Sequence, residues 1–170
     1  LLMANIQASL RTRLSLGQDL ASLAAELDRD IESSTPGPVY ATLFVGIFDP
    51  VTRVLRSVNA GHNPQYIVRR DGSLLRMDAT GLPIGLLAGH GYAAQHYQLE
   101  PGDRLFFYTD GCVEASDATG DMFGVERLEA ALSAALASDD VLITVERAIS
   151  HFRDGIELAD DATMMVVEVG

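Results

Sequence analysis

The sequence is poor in basic side chains, cysteine and long apolar runs, and each shortage removes a class of function. Lys and Arg together number 12 against 24 Asp and Glu, a formal net charge of −12. Such a surface repels phosphate backbones and anionic lipid unless a local basic patch intervenes. The densest basic groupings, Arg11-Thr12-Arg13 and Arg69-Arg70, are isolated, which argues against nucleic acid as a partner. A single cysteine, Cys112, excludes an internal disulfide and fits a reducing compartment, the cytoplasm by default. The apolar run from Pro38 to Phe48 is too short for the ~20 residues of a membrane-spanning helix. No basic-then-apolar signal opens the chain.

What is present fits one compact domain over residues 1–170, with 48% hydrophobic residues and roughly 70% of the unfolded surface buried on folding. Leu1, Leu2, Ile6, Leu10 and Leu14 fall at helical spacing. The helix begins at once, without initiator methionine or capping residue, and reads as starting inside a longer chain. A second helix carries Leu20, Leu23, Ala24, Leu27 and Ile31 on one stripe. It stops before residues 33–38, where two prolines and a glycine forbid continuation.

From Val39 the period becomes that of strands. Residues 39–48 and 52–61 read as a hairpin turning at Asp49-Pro50. Residues 65–70 and 73–77 read as a second hairpin, with Asp71-Gly72 as a type I′ turn. A glycine-punctuated loop, a strand over 91–99, a turn and the strand "RLFFYTD" follow. Two helices come next, the second capped by Asp139 or Asp140 with Val141, Val145, Ala148, Ile149 and Phe152 on its buried face. A last strand, "DDATMMVVEVG", starts on two carboxylates. Short turns between successive strands imply antiparallel pairing, so the fold class is α+β.

The carboxylates carry the chemistry. Asp110 follows an apolar strand directly and precedes Gly111, whose tolerance of positive φ makes Asp-Gly a common turn dipeptide. Asp160 and Asp161 open another strand fifty residues later. If those strands are antiparallel neighbours, the acids meet at one sheet edge. Like charges brought close disfavour ionisation unless a cation lies between them, and Mg²⁺ or Mn²⁺ takes oxygen ligands while keeping several waters. Two independent surface turns account for the spacing equally well.

Four stretches, "VNAGHNP", "TGLPIGL", "FFYTDGCVEA" and "ELADDATMMVVEV", stand in an order that resembles the metal-dependent serine/threonine phosphatases of the type 2C class, in their bacterial SpoIIE/RsbU branch. The resemblance covers essentially the whole chain. It implies an antiparallel β-sandwich flanked by α-helices, and a two-metal Mg²⁺ or Mn²⁺ centre at one rim. Asp110 and Asp160 are then implied metal ligands, with Asp161 a possible third and the Gly111 vicinity part of the site. The implied reaction is in-line hydrolysis of phosphoserine or phosphothreonine without a covalent enzyme intermediate, the cation supplying Lewis acidity and a neutral-pH nucleophile. Implied partners are a phosphorylated protein, a STAS-type anti-sigma-factor antagonist, together with an upstream sensory or receiver domain; the apolar face of the N-terminal helices is in addition a surface for that domain or for a second copy of the chain.

One departure stands out. The family also supplies an aspartate from a Gly-Asp segment ahead of the first helix, which this sequence does not contain. The domain therefore reads as N-terminally truncated, with half a metal site and little activity of its own. Glu114, one turn past Asp110, could orient water around the cation or be a plain exposed glutamate. His62 could be a general acid, but in a loop with Gly61, Asn63 and Pro64 it reads as structural. Cys112 lacks the following arginine that a cysteine phosphatase needs and reads as a buried thiol. Met164 and Met165 read as core and cover, and His90, His96 and His151 lack zinc-ligand spacing. Two alternatives remain: a catalytically silent binding module, and a haloacid-dehalogenase-like phosphotransferase with Asp110 as nucleophile, whose parallel sheet would need helices between the strands.

Overall fold

The computed structural model describes residues 2–34, 39–87, 89–135 and 140–170. Contacts divide the chain into two units interleaved in sequence, one running to His62 with Asp78–Gln98, the other comprising Asn63–Met77 and Leu99–Gly170.

The first unit holds helices α1 (Leu2–Ser15) and α2 (Leu20–Ser34) and an antiparallel sheet of strands β1 (Leu43–Asp49), β2 (Val54–Ala60) and β5 (Gln95–Gln98), in the order β1-β2-β5. Helix α2 starts where the Asp19 carboxylate accepts the Ser22 N–H at 3.0 Å, an N-cap bond. Its expected stripe is the buried one. Leu23, Leu27 and Ile31 join Ile6 of α1, Ala60 and Ile84, while Leu20 and Ala24 pack with Val58. Each buried leucine contributes about 1.5–3 kcal/mol. Arg13 ties α1 to α2 by pairing with Glu26 and Asp30.

The β1–β2 hairpin turns as the sequence indicates, Asp49 accepting from the Val51 and Thr52 amides at 2.9 and 3.3 Å. Strand β5 is shorter than expected. It pairs with β2 only between Val54↔Gln98 and Ser57↔Gln95. Beyond that point the β2 edge is taken by residues 80–81, through the bond from Thr80 N–H to Asn59 O at 2.7 Å and the Ala60–Gly81 bridge.

The second unit holds β3 (Gln65–Val68), β4 (Leu74–Met77), β6 (Arg104–Tyr108), helices α3 (Gly124–Ala134) and α4 (Val141–Arg153), and β7 (Met164–Glu168). The sheet order is β4-β3-β6-β7 and every pairing is antiparallel. That excludes the parallel architecture of the haloacid-dehalogenase alternative. Tyr66, Phe106 and Tyr108 of the sheet share a core with Cys112, Phe123, Leu128, Leu132, Val141, Val145 and Ile149, with Ala148 and Phe152 partly buried against it. Helix α4 is capped by Asp140, which accepts from Leu142 and Ile143; Asp139, the other expected cap, lies outside the described residues, as do Leu1 and residues 35–38.

The structure departs from the sequence reading at one turn and one strand start. The β3–β4 turn is not type I′, which needs positive φ at both central residues. Gly72 is left-handed at +82° but Asp71 is not. The Asp71 carboxylate instead accepts the Ser73 amide at 2.9 Å, and Arg69 and Ser73 close a wider turn of the type I plus left-handed residue kind. The last strand begins at Met164 rather than on the carboxylates, which sit in the loop before it. Met164 packs on the core and Met165 is exposed.

Candidate metal centre at the end of the β6–β7 ladder

Strands β6 and β7 pair from Arg104↔Glu168 to Tyr108↔Met164, so the end of one and the start of the other leave the sheet together. The antiparallel neighbourhood of these two strands, on which the sequence reading depended, is present. Pairing continues one step further through Thr109. Its N–H donates to Thr163 O at 3.0 Å, its Oγ1 accepts the Thr163 N–H at 3.0 Å, and its hydroxyl donates to Asp161 O at 3.4 Å. A single hydroxyl serves as both acceptor and donor, holding the Asp161–Thr163 backbone against the end of β6.

Asp110 then opens a 3-10 turn, Asp110–Cys112. Its carbonyl accepts from the Val113 and Glu114 amides, each at 2.9 Å. Gly111 is not left-handed, so the turn-propensity reason for Asp-Gly does not hold here. The reason is space: a Cβ on Gly111 would stand 2.5 Å from Asp161 O and 2.9 Å from its carbonyl carbon. Only hydrogen fits where the two backbones meet.

Asp110, Asp160 and Asp161 are all exposed. Asp110 Oδ1 accepts its neighbour's amide from Gly111 at 3.1 Å, and Asp160 Oδ1 accepts from Asp161 at 2.7 Å. The donor set is oxygen only, carboxylates plus a carbonyl on abutting backbones, which is the chemistry hard divalent cations take. Among the described residues no group of three or more His, Cys, Asp or Glu is gathered closely enough to hold a metal. What the described residues offer is oxygen donors of the right chemistry on abutting backbones, not a gathered set of ligands.

The other residues singled out in the sequence fall as follows. Glu114 is exposed, one turn past Asp110. His62 belongs to the first unit. Its Nδ1 lies 3.1 Å from Thr42 Oγ1 and its N–H donates to Asn59 Oδ1 at 2.8 Å. Gly61 before it has φ +66° and is crowded by Pro83. Cys112 is fully buried, its thiol 3.7 Å from Thr163 O. Burial, helped by the Asp110 charge, pushes the thiol up to about 11, so no thiolate nucleophile forms near neutral pH. His90 clasps the loop ahead of it, accepting the Leu82 N–H at Nε2 and meeting Leu87 O through Nδ1. Sequence reasoning missed Thr109 and the spatial role of Gly111. It also passed over Gln65, a buried polar residue opening an apolar strand, which was the available signal.

The two sheets and four helices of the described residues have the fold of type 2C phosphatases. The chain superposes on a structure of the PP2C phosphatase domain of SpoIIE from Bacillus subtilis together with a fragment of its regulatory domain, with a TM-score of 0.79, over 98% of this chain and 49% of that one, at 20% identity. Sequence comparison narrows the class. The family model described as stage II sporulation protein E (SpoIIE) matches residues 1–170, and the chain belongs to the SpoIIE family. Protein IcfG of Synechocystis is 31% identical over 147 residues, 85% of this chain and 23% of IcfG. The phosphoserine phosphatase RsbU of Bacillus subtilis is 23% identical over 121 residues, 71% of this chain and 36% of RsbU. The chain thus spans about a quarter to a third of the length of these relatives.

Proposed function

We propose that the chain is the phosphatase domain of a divalent-cation-dependent protein serine/threonine phosphatase. The observation carrying this reading is the abutment of the Asp110 turn on the Asp160–Asp161 loop, fixed by Thr109 and permitted by Gly111. Asp110 and Asp160 hold Mg²⁺ or Mn²⁺, with Asp161 beside them. When bound, the cation supplies Lewis acidity and a nucleophile at neutral pH. The chain's own part is to keep two carboxylates at one rim, oriented by backbone amides, while Cys112 stays buried and protonated. The similarity to RsbU, a phosphoserine phosphatase, supports a phosphorylated signalling protein as substrate, of the STAS-type anti-sigma-factor antagonist kind. A cytoplasmic location, control by an upstream sensory or receiver domain, and dimerisation through α1 and α2 belong to the same proposal. Among the described residues no helix is long and apolar enough to cross a membrane. With two or three carboxylates, water fills most of the ~6 positions around Mg²⁺, so this chain alone binds the cation weakly and turns over slowly.

The test is Mn²⁺-dependent phosphate release from a phosphoserine protein by the full-length enzyme carrying Asp110→Asn or Asp160→Asn. Most activity should vanish in both while the circular dichroism stays unchanged; wild-type rates in both would sink the reading. The small ligand set favours one second reading, a silent module that docks a phosphorylated partner, which the same assay would show as binding without release.

A further inference from the structure

The register of β3 on β6 places Pro64 opposite Tyr108, because the pairing runs from Val68↔Arg104 to Tyr66↔Phe106. Pro64 has no N–H and cannot extend the ladder. Gln65 supplies the missing peptide unit from its side chain. Its Oε1 accepts the Tyr108 N–H at 2.9 Å, and its Nε2 donates to Tyr108 O at 3.3 Å and to Asn63 O at 2.9 Å. Gln65 and Tyr108 are 1% and 3% exposed, so water does not replace these bonds without local opening. Thr109 is held on the opposite side by Thr163 and Asp161. The two residues before Asp110 are therefore braced from β3 on one side, by a side chain, and from the loop leading into β7 on the other.

We propose that Gln65 is a positioning residue of the metal centre, fixing the place of Asp110 through the Tyr108 backbone. The inference rests on the phosphatase reading above for the identity of the cation. It assigns a task to the "NAGHNP" stretch and the residue after it: Pro64 ends the ladder, and Gln65 replaces it with a bond set that is rigid in length.

The experiment uses the full chain, isotopically labelled, observed by nuclear magnetic resonance with Mn²⁺ as the probe. Gln65→Met keeps the length and removes all three bonds. The Mn²⁺ concentration that half-broadens the Gly111, Cys112, Asp161 and Ala162 amides should rise about tenfold, as for other residues that orient metal ligands. Hydrogen exchange at Tyr108 and Gly111 should quicken while α3 and α4 exchange as in the unaltered chain, which a merely stabilising role would not produce. Equal half-broadening concentrations in both proteins overturn the proposal. If Mn²⁺ broadens none of these amides in the unaltered chain, the metal reading fails, and exchange at Gly111 and Cys112 decides the positioning role alone, unchanged rates overturning it. Should Gln65→Met not fold, Gln65→Glu retains an acceptor for the Tyr108 N–H and loses the donors. It should give a smaller shift in the same direction, and no shift overturns the proposal.

Discussion

Replacing Gly111 by alanine tests the geometry of the candidate centre without touching a carboxylate. The added methyl would lie 2.5 Å from Asp161 O, about 1 Å short of ordinary van der Waals contact, and the obstructing atoms are backbone. No side-chain rotation relieves the clash, so the Asp110 turn and the Asp161 loop must move apart. Overpacking of this kind costs about 1–3 kcal/mol. With a urea m-value of about 2 kcal/mol/M, the unfolding midpoint should fall by roughly 1 M, followed by circular dichroism because the chain has no tryptophan. Gly120→Ala is the control: φ there is +86° but no atom lies within 4 Å, so it probes backbone strain without the clash. The Asp161 and Ala162 amides should shift in resonance spectra of Gly111→Ala and not of Gly120→Ala. A midpoint unchanged by Gly111→Ala, with those amides unmoved, would refute the argument that contact rather than turn preference demands glycine.

Asp140→Ala removes the cap that satisfies the Leu142 and Ile143 amides and should lower stability by about 1 kcal/mol, read from urea unfolding; Asp140→Asn should lose little. Asp19, Asp49, Asp71 and Asp117 are held below the ordinary carboxylate range, chiefly by the hydroxyls of Ser22, Thr52, Ser73 and Thr119. Because their folded values lie below the unfolded value of about 4, their contribution is present above that pH and is lost as pH falls through the folded values. Unfolding midpoints measured from pH 6 to pH 2 should show this acid limb, and a fourfold Asp→Asn variant should flatten it; an identical limb in both proteins would count against these local bonds.

Periodicity in the sequence determined most of the secondary structure, since a helix stripe or a strand alternation is a local property of the chain. The α2 stripe from Leu20 to Ile31 and the α4 face from Val141 to Ile149 are buried as their spacing indicates. The motifs likewise placed the chain among type 2C phosphatases, because they mark positions along the chain rather than distances. Tertiary structure alone decided what depends on neighbours. Strand β5 starts late because residues 80–81 take the edge of β2 beyond Ser57. The β3–β4 turn departs from type I′ because Asp71 bonds the Ser73 amide instead of adopting positive φ. At the candidate centre, Asp110 and Asp160 were legible as carboxylates close to strands, but the approach of the backbone segments that carry them depends on β6 lying beside β7, a pairing between strands more than fifty residues apart. The same pairing presses Gly111 against Asp161 and gives Thr109 its partners. Gln65 acquires its task only when Pro64 falls opposite Tyr108, and no local pattern records which strand a proline will face.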